Sequence, residues 1–154
     1  MNIAIVGATG NVGRKTLEVF DKKNFKFDNL YLVASEKSAG KKISFRDKEY
    51  VIENLETYDF SKADITFFAA GGKIAEKFAE KAAKHTIVID NSSFFRMDPD
   101  VPLIVPQVNA AEIKNMKKNI IANPNCSTAQ LVIALKPLHN LFLSLIHISE
   151  PTRH

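Results

Sequence analysis

Short apolar runs alternate with amphipathic stretches along this chain. Ile3-Ala4-Ile5-Val6 stops at Gly7, and an unbroken apolar run closed by glycine fits a strand buried on both faces of a parallel sheet. Val12, Thr16, Leu17, Val19 and Phe20 then recur at helical spacing, and Lys22-Lys23 place positive charge at the far end, where the helix dipole favours it. Leu30-Tyr31-Leu32-Val33-Ala34 reads as a second strand, so the opening predicts a βαβ unit. Lys42-Ile43-Ser44-Phe45 and Glu49-Tyr50-Val51-Ile52 alternate polar and apolar around Arg46-Asp47-Lys48, which predicts a small hairpin at the sheet margin.

The βα rhythm resumes with a strand at Ile65-Thr66-Phe67-Phe68-Ala69, a helix over Ile74 to Lys84 and a strand at Thr86-Ile87-Val88-Ile89. Leu103-Ile104-Val105 and Asn119-Ile120-Ile121-Ala122 are shorter strand candidates, each running toward a proline. A last helix is expected from Ser127 to His139, with Leu131, Val132, Leu135 and Leu138 on one side. The alternation predicts an α/β fold, an open, doubly wound and mostly parallel sheet of Rossmann-like type.

Composition narrows the function classes. With 45% hydrophobic and 25% charged residues, the 154-residue chain has the make-up of a globular domain rather than a disordered or fibrous one. A single cysteine forms no internal bridge, which points to a reducing, cytoplasmic setting. The net charge of +4 is spread along the chain, so it favours small anionic ligands over nucleic acid. No run approaches the ~20 apolar residues of a spanning helix, no signal-like segment opens the chain, and no Cys/His cluster has metal-ligand spacing. The expectation is therefore no membrane, no nucleic acid and no metal.

Four places carry candidate chemistry. Gly7-Ala8-Thr9-Gly10-Asn11-Val12-Gly13 joins the first strand to the first helix. Gly7 would make the tight turn, Gly10 would admit a ligand close to backbone, and Gly13 would let the helix pack on the sheet, with a pyrophosphate at the helix N-terminus. The competing reading is a plain glycine-rich connection; the strand–turn–helix context favours nucleotide binding. After the second strand, Ser35-Glu36-Lys37-Ser38 offers two hydroxyls and a cation to a 2′-phosphate, which argues for NADP, against the alternative of a polar surface loop. Asn123-Pro124-Asn125-Cys126-Ser127-Thr128 puts a thiol at a loop-to-helix junction, where the helix field favours a nucleophilic thiolate, although a lone cysteine is often only a small buried hydrophobe. Asp90-Asn91-Ser92-Ser93-Phe94-Phe95-Arg96 follows a strand, and Arg96 would fork onto a phosphate or stand as a solvated charge. His85 and His139 sit near helix ends without a recognisable partner, and Lys114, Lys117 and Lys118 read as a solvated face.

Taken in order, the glycine turn, the Ser-x-x-Ser-Ala-Gly loop, the Asp90–Arg96 block, Asp100-Val101-Pro102-Leu103-Ile104-Val105-Pro106-Gln107-Val108-Asn109 and the Asn123–Thr128 block closely resemble bacterial aspartate-β-semialdehyde dehydrogenases over roughly Met1 to Asn140. The resemblance implies an NADP-dependent phosphorylating aldehyde oxidoreductase of amino-acid biosynthesis (lysine, threonine, methionine) that interconverts aspartyl phosphate and aspartate semialdehyde through a cysteine thioester. It implies Cys126 as nucleophile with Asn125 beside it and Arg96 on the phosphate. It assigns Gly7, Thr9, Gly10, Asn11 and Val12 to the dinucleotide turn, Ser35, Lys37 and Ser38 to the 2′-phosphate, and Gly71 to a second nucleotide loop. Lys37 stands where many members carry arginine, and Ala70-Gly71-Gly72 departs from the usual serine-bearing loop.

Members of that family are more than twice this long, and the resemblance implies that the remainder supplies the substrate-carboxylate arginine, the catalytic histidine, a glutamine near the thioester and most of a homodimer or dimer-of-dimers interface. The expected organisation is a dinucleotide-binding domain over 1–125, the start of a catalytic and dimerisation domain over 126–142, and truncation before that second domain. Leu143 to His154 resembles an in-frame sequencing adaptor and reads as a non-native tail. The alternatives are an N-acetyl-glutamyl-phosphate reductase, whose cysteine is typically flanked by glycine and tyrosine rather than Asn125 and Ser127, and a non-catalytic NADP-binding module.

Overall fold

In the computed structural model, the backbone of residues 1–149 and the side chains of residues 1–142 are described. Seven strands, β1 (Asn2–Val6), β2 (Asn29–Ala34), β3 (Lys42–Phe45), β4 (Lys48–Asn54), β5 (Ile65–Phe68), β6 (Ile87–Asp90) and β7 (Ile120–Ala122), form one sheet. Their order is β3-β4-β2-β1-β5-β6-β7, and every pairing is parallel except β3 with β4. Setting the antiparallel edge strand aside, the order is that of a doubly wound dinucleotide fold, with its reversal between β1 and β5. Helices α1 (Asn11–Lys22) and α2 (Gly72–Ala83) are the crossovers from β1 to β2 and from β5 to β6.

Parity along β1 explains the two cores. Ile3 and Ile5 face α1 and pack with Leu17, Phe20, Leu30 and Leu32, while Ala4 and Val6 face α2 and pack with Phe68, Phe78, Ala79 and Val88. All four of these β1 residues are fully buried, which is why the strand reads as continuous rather than alternating apolar. Burying each isoleucine is worth ~1.5–3 kcal/mol.

The hairpin is held by an arginine. Arg46 and Asp47 between β3 and β4 both take left-handed backbone, φ 48° and 60°, as a two-residue hairpin turn that follows strand twist demands. Without glycine this costs about 1–2 kcal/mol per residue. Arg46 offsets the cost by donating to the carbonyls of Phe20 and Phe25 and to Asp21, with its guanidinium 5.0 Å from the Phe45 ring centroid. The hairpin stands at the sheet margin as expected, and β4 runs further than the predicted alternation and joins the main sheet by pairing in parallel with β2.

Two expectations are corrected. Leu103-Ile104-Val105 is not a strand but a single parallel bridge from Leu103 to Ala122. Pro102 and Pro106 lack the N–H a ladder needs, the Val105 N–H donates to Asn109 Oδ1 instead, and Pro106 starts a short helix, α3 (Pro106–Asn109). Lys117 and Lys118 are not merely solvated: Lys117 pairs with Asp100, and Lys118 bridges Asp98 and Glu80, tying the loop after β6 to α2. The last helix, α4 (Cys126–Ser149), runs beyond the predicted His139 and passes through Pro137. Of the adaptor-like segment Leu143 to His154, residues 150–154 lie outside the described residues, as does the side chain of His147.

Candidate functional site

The site is built from residues that stand just past strand ends. Gly7 follows β1 with φ 85°, a region closed to most side chains, and a Cβ there would lie 2.8 Å from the Ala69 carbonyl oxygen at the end of β5. Its N–H donates to the Val33 carbonyl, and the Gly10 N–H donates back to the Gly7 carbonyl at 3.0 Å, which closes a tight turn. Gly13 lies in the first turn of α1, where a Cβ would meet Gly7 O at 2.4 Å. Gly7 and Gly13 thus do distinct steric jobs, whereas a Cβ at Gly10 would lie 3.3 Å from Gly7 O, a tight contact but not a clash.

Gly10 caps α1 without a side-chain hydrogen bond, and no acidic residue stands in the first turn. The first helical bond runs from Arg14 N–H to Gly10 O, so the preceding N–H groups of Asn11 and Val12 are available to an anion. At the C-terminal ends of β1, β2 and β5 a cleft of about 350 Å³ opens, lined among others by Gly7, Thr9, Gly10, Ser35, Ala69 and Ala70. Ser35 follows β2 and caps a single 3₁₀ turn, Glu36–Ser38, which carries Lys37 exposed and Ser38 half-buried. Glu36 is exposed on that same turn. Gly71 caps α2 with φ 86°; a Cβ there would find nothing within 4 Å, so this glycine borders open space beside Ala70. A glycine cradle, an uncapped helix start and a hydroxyl at the second strand's end fit a dinucleotide laid across the reversal of strand order.

A second cluster stands past β6 and β7. Asp90 is fully buried and accepts from the Ser92 N–H and hydroxyl, which shapes the turn after β6. Arg96 is half-buried; its Nε donates to the Asn123 carbonyl at 3.0 Å and its Nη2 to the Asn91 carbonyl at 3.3 Å. The residue predicted to bind phosphate is therefore also a clamp between the β6 and β7 loops, with Nη1 lacking a protein partner among the described residues. The Asn123 side-chain amide donates to Asn91 Oδ1. Sequence reasoning missed this amide pair and the clamp; the available signal was an asparagine immediately after each of two strands.

Cys126 is exposed and is the first residue of α4. Asn125 stands just before it and caps the helix: Oδ1 accepts from the Ser127 N–H at 2.9 Å and the Ser127 hydroxyl at 2.8 Å, and the Asn125 carbonyl accepts from Ala129 N–H. The Cys126 thiol sits 3.5 Å from the same Oδ1. The thiol is thus solvent-accessible at a capped helix start rather than packed in a core. His85 and His139 are exposed, away from these contacts. Among the described residues no group of acidic, Cys or His side chains is arranged to hold a metal, and no helix is long and apolar enough to cross a membrane.

Known proteins with this pattern agree among themselves. The family described as semialdehyde dehydrogenase, NAD binding domain, matches residues 2–116. The chain is 53% identical over 141 residues to an aspartate-semialdehyde dehydrogenase of Aquifex aeolicus, a match that covers 90% of this chain and 42% of that protein. A crystal structure of Vibrio cholerae aspartate semialdehyde dehydrogenase II complexed with ASA superposes with a TM-score of 0.85 at 49% identity, over 90% of this chain and 46% of that one. The Candida albicans aspartate semialdehyde dehydrogenase with NADP superposes with a TM-score of 0.68 at 30% identity, over 92% and 47%. The chain thus spans less than half the length of these relatives.

Proposed function

The chain belongs to the semialdehyde dehydrogenase family, and from that premise we propose that it forms the nucleotide-binding domain and the nucleophile of an NADP-dependent enzyme interconverting aspartyl phosphate and aspartate semialdehyde. The observation that carries this reading is the exposed Cys126 at the start of α4, at the same end of the parallel sheet as the glycine-lined cleft. Gly7, Thr9, Gly10, Asn11 and Val12 hold the pyrophosphate, the first two helical N–H groups donating to it. Ser35, Lys37 and Ser38 receive the 2′-phosphate, and Gly71 flanks the nucleotide from the α2 side. When bound, NADP supplies the hydride acceptor or donor for the aldehyde carbon.

The chain's own chemistry lies at the thiol. As a thiolate, Cys126 adds to the aldehyde carbonyl to give a thiohemiacetal, and oxidation leaves a thioester that inorganic phosphate cleaves; the physiological direction is the reverse. Asn125 fixes the helix start and lines the thiol with its side-chain oxygen. Arg96, through Nη1, orients the phosphate while Nε and Nη2 hold the loop that carries the nucleophile. Residues 1–125 make the dinucleotide domain and 126–142 begin the catalytic one. The whole protein is cytoplasmic and a homodimer or dimer of dimers, consistent with the exposed Leu131, Leu135 and Leu138 on α4.

Iodoacetamide labelling and nucleotide titration of the 154-residue chain test this reading. Cys126 labels in the folded protein, NADP binds weakly, and no phosphate-dependent oxidation of the semialdehyde is seen, because no acid–base partner stands beside the thiol among the described residues. In the whole protein, Cys126→Ala removes activity and spares NADP binding. A Cys126 thiol as slow to label as one buried in a core, or robust turnover by this chain alone, defeats the proposal.

A further inference from the structure

We infer that Asn91 and Asn123 together form the subsite that reads the carboxamide of the nicotinamide ring, an inference that rests on the NADP reading above. Strand register places them. Val6 pairs with Phe68, Phe68 with Asp90, and Asp90 with Ala122, so Gly7, Ala69, Asn91 and Asn123 form one row, each a single residue past its strand. Adjacent strands are about 4.8 Å apart, so the row steps away from the pyrophosphate turn toward the Cys126 loop in even increments. By the parity of β1, the row shares the face of Ile5, Phe67 and Ile89, which is the α1 face. There a groove of about 340 Å³ is lined by Phe67, Ile89, Asn91 and Asn123 from the sheet side and, among others, by Val12, Lys15 and Thr16 of α1.

The pair is held rigidly. The Asn91 N–H donates to Phe68 O, the Asn123 N–H donates to Asp90 O, and Arg96 grips both carbonyls. Their side chains meet head to tail, Asn123 Nδ2 donating to Asn91 Oδ1. That contact leaves an Asn91 Nδ2 donor and an Asn123 Oδ1 acceptor without partners among the described residues. Turning both amides over exchanges the two roles and leaves the same complement. A primary carboxamide presents one acceptor and one donor on one edge, which is the matching set, and half-buried amides left unmatched beside a bound ring lose their solvation without return. The groove's opposite neighbour, the Ser35 end of the cleft, takes the adenosine half, so the pair lies on the nicotinamide side of the reversal point.

Calorimetric titration of the 154-residue chain with NADP, its 3-acetylpyridine analogue and 2′,5′-ADP tests the assignment. The analogue replaces the amide NH₂ by a methyl group, and 2′,5′-ADP lacks the nicotinamide half altogether. Asn123→Ala is expected to weaken NADP about tenfold, to leave 2′,5′-ADP within about twofold, and to erase the parent's several-fold preference for NADP over the analogue. Asn91→Ala is expected to weaken NADP and the analogue alike, since both keep the carbonyl. Equal affinity of the unaltered chain for NADP and the analogue overturns the inference without any variant, as does undiminished NADP binding by both variants. If 2′,5′-ADP itself fails to bind the unaltered chain, the NADP reading falls and this inference with it; if 2′,5′-ADP binds and the analogue is not distinguished, only this inference falls.

Discussion

Replacing Gly13 by alanine sets two effects of opposite sign against each other. Within a helix, alanine is favoured over glycine by about 1 kcal/mol. At this position, however, the added methyl would lie 2.4 Å from Gly7 O, 2.7 Å from Ala8 Cα and 3.0 Å from Ala8 C. All three obstacles are backbone atoms of the turn that closes β1, so no rotamer change relieves them. Restoring an ordinary contact requires α1 to back away by about 1 Å, and overpacking of this kind costs ~1–3 kcal/mol, occasionally more. Here Leu17 and Phe20 would move with the helix and lose contact with the Ile3 and Ile5 face, which places the cost at or above the upper end. The expected net is a loss of about 2 kcal/mol, or roughly 4–8 °C in melting temperature for a chain of this size. Gly72→Ala is the control: its methyl would find Phe94 Cβ at 3.9 Å and Ser93 Oγ at 4.0 Å, ordinary contacts, so stability should change by less than about 0.5 kcal/mol. Urea and thermal unfolding followed by circular dichroism read both. A Gly13→Ala protein as stable as the parent, or the two variants behaving alike, would refute the view that close helix–strand packing dictates this glycine.

Arg46→Ala removes three donor contacts and the stacking that holds a glycine-free left-handed turn, and is expected to cost roughly 2–3 kcal/mol in urea unfolding, with Arg46→Lys recovering less than half of it. Full rescue by lysine would show that charge alone matters there. The Asp98 carboxyl is held below its ordinary range by the Asp100 N–H and then by Lys118, while Lys118 is held above its own by Asp98 and Glu80. For Asp98 the stabilisation is present above the unfolded carboxyl value and is lost as pH falls through the lower folded one; for Lys118 it is present below the unfolded amine value and is lost as pH rises through the higher folded one. Lys118→Met should therefore flatten both the acid and the alkaline limbs of a stability–pH profile, and unchanged limbs would remove this ion pair from the account.

The legible parts of the fold were those set by local pattern. The β1 run, its glycine turn and the α1 periodicity are written within twenty-odd residues, and of the glycines Gly13 answers to backbone close by in the chain, at Gly7 and Ala8. The hairpin was legible too, but not the parallel pairing of Leu32 with Ile52 and Val33 with Glu53 that carries it into the main sheet. That pairing is made across the Glu36–Ser38 turn and β3, and nothing near Ile52 in the chain announces it. Leu103-Ile104-Val105 failed for the converse reason. Its apolar residues suit a strand, yet the prolines on either side remove the donors, leaving one bridge and buried side chains at Ile104 and Val105.

Legibility at the site followed residue chemistry in the same way. Gly7 and Cys126 stand out in a sequence because few residues substitute for the absence of a Cβ or for a thiol. Asparagine does not stand out, because it is also a common turn former, and Asn91 and Asn123 each pass as ordinary loop residues. What gives them a shared role is the β5-β6-β7 register, which no single segment encodes. A one-residue slip of β7 against β6 would break the Asp90–Ala122 pairing and turn the Asn123 side chain to the α2 face, and it would carry the start of α4 with it. Arg96 opposes that slip directly, since it holds the Asn91 and Asn123 carbonyls at once, and the bond from Asn123 N–H to Asp90 O opposes it from the backbone. The same guanidinium therefore sets the alignment on which the position of Cys126 depends, so its loss should disturb the Asn91–Asn123 row and the start of α4 together.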